Sequence, residues 1–259
     1  TPLEFRKYCR EFALRFLDIQ REQFKRLGVR GDWDNPYITL KAEFEAKQIE
    51  VFGKMAKKGY IYKGLKPVHW CPQCETALAE AEIEYQDHRS PSIYVRFQVV
   101  DTKGKMDTAN NTWFVIWTTT PWTIPANLAI CLHPEIKYVR VTTPEHGDLI
   151  MAEDLLGSVM ETFKITGFCI KERYQGKELE GIVYKHPLYE RYSPVVLGEH
   201  VTLEAGTGCV HTAPGHGQDD YEVGLRYGLE IYAPMDHRGH FTEDAGQFAG
   251  LHYDSGNKK

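Results

Sequence analysis

The hydrophobic period of this 259-residue chain changes near residue 85, and this change is the feature that most constrains its fold. Before it, apolar residues recur at steps of three and four, as on one face of a helix. After it, Ile93, Val95, Phe97 and Val99 alternate with more polar residues, as in a half-buried strand. The chain is therefore predicted to be α+β, with residues 85–259 forming a barrel-like sheet with short helices.

The segment before the change contains two predicted helices and little else. Thr1 and Glu4 have the spacing of a capping box, Pro2 falls where a first turn tolerates proline, and an apolar stripe follows from Phe5 to Ile19. A second helix fits residues 39–58. Two helices are too small a structure to make an independent domain.

Short strands and two further helices are predicted beyond residue 85. The helices fit residues 153–163 and 219–227, the second closed by Gly228. The strand candidates after 93–99 are 113–118, 128–132, 138–142, 148–152, 166–171, 194–198, 201–204 and 209–212.

Charge is distributed unevenly along the chain. The net charge is −5, yet residues 1–66 carry 15 Lys/Arg against 9 Asp/Glu, and the remaining residues carry 16 against 27. Because binding to a phosphate backbone normally needs a basic surface, charge alone does not predict a nucleic-acid partner for the larger part.

Several features favour a cytoplasmic protein with no membrane partner. The chain has no run of about 18 apolar residues, and its first residues lack a signal-peptide profile. Cys9, Cys131, Cys169 and Cys209 stand singly among apolar neighbours, as buried thiols of cytosolic proteins do.

Cys71-Pro72-Gln73-Cys74 has the spacing of half a zinc knuckle, with two thiolates on a tight turn. A structural zinc needs four ligands, and the sequence has no second pair at this spacing. The alternatives are a surface turn with two free thiols, a site completed by His69 or a distant cysteine, and a site whose other ligands lie outside the chain.

Trp117-Thr118-Thr119-Thr120-Pro121-Trp122-Thr123 ends an apolar strand with a row of hydroxyl groups and a proline that stops the sheet. Asn127 follows four residues later. Threonines are common in edge strands, but three in succession at this point place several hydroxyl groups and an amide at the mouth of a sheet. Such groups are suited to holding an ester carbonyl and a water.

Residues 206–221 form the segment densest in chemically useful groups. Its glycines, Gly208 among them, permit either tight turns or close approach of a ligand to the backbone. His211 and His216, together with Asp219 and Asp220, could ligate a metal; the carboxylates could also cap the following helix. A carboxylate facing a glycine-lined pocket is suited to a ligand ammonium group.

Other catalytic signatures are missing from the sequence. There is no Gly-x-Ser-x-Gly elbow, and no serine lies in either segment. His237-Arg238-Gly239-His240 is similar to the ATP-gripping signature of class I synthetases, but it lacks the strand–helix context of that signature, so we interpret it as a solvated turn. The chain is therefore not expected to activate amino acids.

Together, WTTTPWTIPAN and GTGCVHTAPGHGQDDY resemble the threonine-rich and aspartate-containing motifs of the editing (CP1) domain of isoleucyl-tRNA synthetase. GVRGDWDNPY and WCPQCETALAEAEIEY extend the resemblance over nearly the whole chain. It implies that 1–84 are a helical fragment of the Rossmann-like catalytic domain and that 85–259 are the editing domain inserted in it. It also implies a structural zinc in the full-length enzyme, with the second cysteine pair beyond residue 259, and no cofactor for editing.

The resemblance further implies hydrolysis of valine mischarged onto tRNA(Ile), with the 3′ end of that tRNA and the remainder of the synthetase as partners. Asp220 would bind the α-ammonium, and His211 would exclude isoleucine. The ester, the water and the terminal adenosine would be held by the groups around them, namely Thr118, Thr119, Thr120, Trp122, Thr123, Asn127, Gly208 and His216.

Three alternatives remain open at this stage. The first is a metal-dependent hydrolase that uses His211, His216 and Asp220. The second is the editing domain of the valyl or leucyl relatives. The third is a non-catalytic module that binds RNA or protein.

Overall fold

The computed structural model describes residues 1–107 and 111–258, and these form two compact units, Thr1–Gly64 and Leu65–Lys259. The first unit holds two α-helices, α1 (Pro2–Arg26) and α2 (Ala42–Lys57). The predicted capping box is present, since the Thr1 hydroxyl accepts a hydrogen bond from the Glu4 N–H and the Glu4 carboxylate accepts one from the Thr1 amine.

Neither helix of the first unit buries a residue. The apolar stripe of α1, which includes Phe5, Phe12 and Ile19, is exposed, so these helices lack the packing that usually stabilises an amphipathic helix. The assignment of 1–84 to a catalytic domain stays a prediction. The compact unit itself ends at Gly64, twenty residues earlier.

The second unit is built on a nine-stranded mixed sheet, preceded by a small hairpin of β1 (Trp70–Cys71) and β2 (Thr76–Ala77). In chain order, the strands of the large sheet are β3 (Ile93–Asp101), β4 (Thr112–Thr118), β5 (Ala129–Leu132), β6 (Lys137–Thr143), β7 (Gly147–Ala152), β8 (Cys169–Gln175), β9 (Val183–Lys185), β10 (Tyr192–Leu197) and β11 (Val210–Thr212).

The strands lie side by side in the order β11-β5-β10-β9-β3-β4-β7-β6-β8. Most neighbours are antiparallel, but β10 pairs with β5, and β4 with β7, in parallel. The edge strand β11 also lies against β4, so the part of the sheet from β4 to β11 curls around a core. The predicted α+β, barrel-like class is confirmed.

Within the described ranges, three α-helices accompany the sheet: α3 (Leu156–Phe163), α4 (Gln218–Tyr227) and α5 (Tyr253–Gly256). The 3-10 helices of the same ranges connect other elements: Glu80–Glu82, Pro121–Ala126, Glu153–Leu155, Gly176–Glu178 and Glu243–Phe248. The main core lies inside the curl and includes Phe97, Phe114, Ile130 and Tyr184, all without solvent exposure. A second core packs α3 against β6 and β7.

Two expectations, one about a strand and one about the thiols, are wrong. Residues 201–204 form no strand; Val201 instead packs in a small cluster with Val223 of α4, in a stretch that turns at Gly206. Cys9 and Cys169 are exposed, whereas Cys131 and Cys209 are buried as expected. Apolar neighbours in sequence bury a thiol only where the element that carries it is packed on that face.

Candidate active site

The threonine segment leaves β4 at Thr118 and turns at once into the 3-10 helix that begins at Pro121. The Thr118 hydroxyl accepts from the Thr120 N–H at 3.1 Å and also lies 3.1 Å from the Thr120 hydroxyl. Thr118 is buried, and Thr119 and Thr120 are exposed. One hydroxyl of the predicted row therefore shapes the turn, and the next two are open to a ligand.

A cavity of about 390 Å³ lies between the two predicted segments. The threonine segment contributes Trp117, Thr118 and Thr119, and residues 206–210 form the facing wall. Gly208 has φ +73°, and a Cβ there would lie 2.5 Å from the Cβ of Ala152. Glycine is therefore required at this position both by the backbone and by the close packing.

His211 lies on β11, and both of its ring nitrogens are hydrogen-bonded. Its Nδ1 is 3.0 Å from Nδ2 of Asn127, and its Nε2 is 2.8 Å from Oγ1 of Thr123. The Asn127 amide nitrogen also donates to the Ala129 carbonyl at 2.9 Å, and the Thr123 hydroxyl donates to the Thr120 carbonyl at 2.8 Å. The ring is thus held at two points on the segment that follows the threonine row.

These contacts keep His211 uncharged. The Ala129 carbonyl can only accept, so it is faced by the amide NH₂ of Asn127, and Nδ1 of His211 must then be the acceptor. Protonation of Nδ1 would break that bond, and burial lowers the pKa of His211 to about 3. With both nitrogens engaged, the His211 ring has only carbon atoms left without a polar partner, and His211 is not among the residues that line the cavity between the two segments.

Asn127 and Thr123 lie behind His211 rather than beside open space. Asn127 has no solvent-exposed surface, and Thr123 is buried. Their polar atoms already bond to the histidine and to the backbone. Asn127 and Thr123 therefore fix the orientation of the His211 ring.

Asp220 stands in the first turn of α4, whose N-cap is Gly217. Its Oδ2 accepts from the Ala213 N–H at 2.9 Å, so the carboxylate ties the helix to the turn after β11 instead of capping the helix. Burial raises the pKa of Asp220, whereas the hydrogen bond from Ala213 and the nearby His200 lower it by less. A carboxylate has about four lone-pair positions, so one N–H bond leaves capacity for a cation.

His216 and Trp122 meet at a second cavity, of about 420 Å³. The two rings pack edge to face with centroids 5.2 Å apart, and Gly215 and Tyr253 complete this wall. Burial lowers the pKa of His216 to about 4. Among the described residues, the walls of these two cavities do not include Asp220.

The geometry does not favour a metal at His211, His216 and Asp220. No cluster of three or more His, Cys, Asp or Glu side chains in the described ranges could hold a metal ion. Cys71 and Cys74 lie together on the β1–β2 turn, with the Cys74 N–H donating to the Cys71 sulfur, and this bond lowers the pKa of Cys71. The two thiols fit half of a tetrahedral zinc site, and zinc there stays a prediction.

Three residues near the site were missed by the sequence reasoning. The Tyr184 hydroxyl donates to Oδ1 of Asn127 at 2.7 Å, and Arg191 donates to the Pro125 and Asn127 carbonyls, each at 2.9 Å. His200 lines the first cavity. Tyr184 lies in a three-residue strand, which is too short to show a period. Nothing in the sequence indicates that Tyr184 and Arg191 contact the segment around Asn127, some 60 positions earlier.

Two family models match this chain. One, described as "tRNA synthetases class I (I, L, M and V)", matches residues 1–165, and the other, "Leucyl-tRNA synthetase, editing domain", matches residues 89–257. The chain therefore belongs to the class I tRNA synthetase family and carries its editing domain. In the part that the structure describes, no helix is long and apolar enough to cross a membrane.

Similar proteins bear out the resemblance to the isoleucyl branch of this family. The chain is 61% identical to the isoleucine--tRNA ligase of Carboxydothermus hydrogenoformans and 60% identical to that of Natranaerobius thermophilus, in each case over 100% of the chain and 28% of the relative. It therefore spans little more than a quarter of their length. The editing domain of the Plasmodium knowlesi cytosolic leucyl-tRNA synthetase is 14% identical, over 54% of this chain and 64% of that one, with a TM-score of 0.43.

Proposed function

We propose that this chain, as part of an isoleucyl-tRNA synthetase in the cytoplasm, hydrolyses the ester of valine mischarged onto tRNA(Ile). The observation that carries the proposal is the buried, uncharged and doubly hydrogen-bonded ring of His211 beside the threonine segment. A wall that offers carbon atoms in a fixed position selects by size.

Selection by size in a second pocket is needed because a single binding pocket discriminates poorly between valine and isoleucine. One methylene is worth only about 1–3 kcal/mol in a hydrophobic pocket, a range for which isoleucyl-tRNA synthetase is itself a standard example. A second pocket that admits valine and rejects isoleucine reverses the difficulty, since the larger side chain now meets a steric wall. In the proposal, His211 forms that wall.

Asp220 supplies the second recognition element. Its carboxylate, in the first turn of α4, has one backbone bond, to the residue that follows β11, and the ammonium of an aminoacyl ester would complete its hydrogen bonds. Because burial raises the pKa of Asp220, a bound ammonium also stabilises the ionised form.

Hydrolysis in this site depends on positioning more than on proton transfer by a side chain. The histidines at hand have lowered pKa values and are poor proton acceptors at neutral pH. The exposed hydroxyls of Thr119 and Thr120 would hold the ester and a water, beside Thr118 at the end of β4. Orientation of the water toward the carbonyl then lowers the barrier.

Asp220→Asn tests the ammonium contact, with Asp219→Asn as a matched control. Asparagine keeps an acceptor for the Ala213 N–H and removes the charge, whereas Asp219 carries the same charge on the exposed neighbouring position. Loss of a bond to a charged group, about 1.5–3 kcal/mol, should slow hydrolysis of Val-tRNA(Ile) roughly 10- to 150-fold in the first variant only. Equal rates in Asp220→Asn and the parent would refute the role of Asp220.

His211→Ala tests the size wall. The variant should hydrolyse Ile-tRNA(Ile), which the parent should leave intact, because the ring that blocks the larger side chain is gone. Added chelator should not change the rate of ester hydrolysis by the parent or by the variant, whereas it would abolish hydrolysis by a metal-dependent enzyme. A parent chain that binds Val-tRNA(Ile) and leaves its ester intact would instead be a binding module.

A further inference from the structure

The hydrogen bonds of His211 continue through Asn127 into the core of the sheet and reach Tyr184, whose hydroxyl is also bonded to the side chain of Ser193. Tyr184 lies on β9, has no exposed surface, and packs edge to face on Phe97 with ring centroids 5.1 Å apart. Its hydroxyl donates to Oδ1 of Asn127 at 2.7 Å, and the amide nitrogen of Asn127 donates to Nδ1 of His211 at 3.0 Å. The phenol and the imidazole are therefore connected through one amide group.

This connection leaves a single consistent set of proton positions. The Tyr184 O–H meets an oxygen of Asn127, the NH₂ meets the Ala129 carbonyl and Nδ1 of His211, and the remaining ring proton sits on Nε2. The Nε2–H donates to the Thr123 hydroxyl, which donates in turn to the Thr120 carbonyl. Every donor along this path has an acceptor.

We infer that Tyr184 is a positioning residue for substrate selection, which acts through Asn127 to fix the tautomer and the orientation of the His211 ring. This inference rests on the proposed function of His211 as the size wall. Tyr184 does not touch the substrate; together with the Ala129 carbonyl, its hydroxyl decides which end of the Asn127 amide faces the histidine.

Removal of the hydroxyl would narrow the free-energy difference between the two orientations of the Asn127 amide. In the present one, Oδ1 of Asn127 loses its buried donor, which costs about 1–3 kcal/mol. In the flipped one, Oδ1 faces the Ala129 carbonyl and Nδ1 of His211, so the ring would have to move its proton to Nδ1. The Thr123 hydroxyl would then donate to Nε2 and release the Thr120 carbonyl. Either way, the ring is less firmly held.

The backbone of Asn127 is fixed independently of Tyr184. The guanidinium of Arg191 donates to the Pro125 and Asn127 carbonyls, and it lies over the rings of Tyr189 and Tyr232 at 5.3 and 5.1 Å. Loss of the Tyr184 hydroxyl should therefore alter the amide and the histidine without releasing the 3-10 segment that carries them. The effect should fall on selectivity more than on the fold.

Tyr184→Phe is the direct test, with Tyr227→Phe as the matched control. Tyr227 also loses a bonded hydroxyl, which donates to Glu180 and accepts from the Leu197 N–H, but it stands outside the path to His211. Hydrolysis of Ile-tRNA(Ile) relative to Val-tRNA(Ile) should rise about tenfold in Tyr184→Phe, equivalent to about 1.4 kcal/mol, and stay at the parent value in Tyr227→Phe. An unchanged ratio in Tyr184→Phe would overturn the inference.

A spectroscopic measurement on the unaltered chain makes the inference independent of activity and of how the variant folds. Long-range ¹H–¹⁵N spectra, with the His211 signals assigned from a His211→Gln variant, report which ring nitrogen carries the proton. The proton should be on Nε2 in the parent and in Tyr227→Phe, and Tyr184→Phe should show a second tautomer. A parent His211 protonated on Nδ1 overturns the inference. A parent that carries the expected tautomer but does not hydrolyse Val-tRNA(Ile) overturns the proposed function alone.

Discussion

Acidification should destabilise the second unit through three histidines whose pKa values are lowered by burial, His186, His211 and His216. The pKa is lowered to about 4 for His186 and His216 and to about 3 for His211, from an ordinary value of 6.5. The unfolded chain therefore binds more protons than the folded one below about pH 6.5, so stability is present at neutral pH and is lost as pH falls through that value. His186 is almost fully buried, with Nε2 2.9 Å from the Ile124 carbonyl.

The magnitude follows from the proton balance. At pH 5 an unfolded histidine of pKa about 6.5 is almost fully charged and the buried one is not, which corresponds to about 2 kcal/mol per residue relative to pH 7. His186, His211 and His216 together should cost the folded unit about 6 kcal/mol over this interval. A loss of about 2 kcal/mol in the free energy of unfolding is already a large share of the stability of an ordinary domain, so the effect is measurable.

Urea unfolding at pH 7 and pH 5, followed by near-ultraviolet circular dichroism of the buried aromatic residues, checks the prediction. The parent should lose about 6 kcal/mol, and His186→Gln, which keeps a donor for the Ile124 carbonyl, should lose about 4 kcal/mol. Between pH 7 and pH 8 neither protein should change appreciably. An equal loss in the parent and in His186→Gln between pH 7 and pH 5 would refute the reasoning.

Two further predictions concern packing and charge. Gly208→Ala should destabilise the second unit by roughly 2–4 kcal/mol in thermal or urea unfolding, because it adds a clash with Ala152 to a left-handed backbone. The control Gly181→Ala, at a position with φ +79° and open space around it, should cost about 1 kcal/mol. Equal losses of stability in the two variants would contradict the packing argument. The chain should bind deacylated tRNA weakly, with an affinity that falls steeply with salt in fluorescence anisotropy, since residues 67–259 carry 16 Lys/Arg against 27 Asp/Glu. Tight, salt-insensitive binding would show that contacts other than those to phosphates carry the affinity.

Most of the sheet was predictable because its strands are long and regularly patterned. Residues 93–99, 113–118 and 138–142 alternate or are continuously apolar, and all three lie within observed strands. The three-residue strand β9 was not predictable, because Val183–Lys185 is too short to display a period. It is nevertheless the strand that pairs β3 with β10 and carries Tyr184.

The site was predictable to the extent that its chemistry is local. Thr118 and Thr120 interact two residues apart, and Asp220 bonds to Ala213 seven residues away, so their segments could be recognised as units. The contact of His211 with Asn127 spans 84 positions, and that of Tyr184 with Asn127 spans 57. Such pairs are brought together only by the curl of the sheet, and no spacing in the sequence records it.

The structure also changes what the threonine segment does in the proposed mechanism. A size wall is useful only if its position is certain to within a fraction of an ångström, because the difference that it detects is a single methylene. Thr123 and Asn127, which the sequence placed among the substrate contacts, are buried and fix His211 by its two nitrogens. Only Thr119 and Thr120 are exposed in the preceding row. In the proposed mechanism, one continuous stretch of chain would thus both present hydroxyls to an ester and hold the residue that selects its side chain by size. A shift of that stretch would disturb hydrolysis and selection together, whereas a change deeper in the core, at Tyr184, would disturb selection alone.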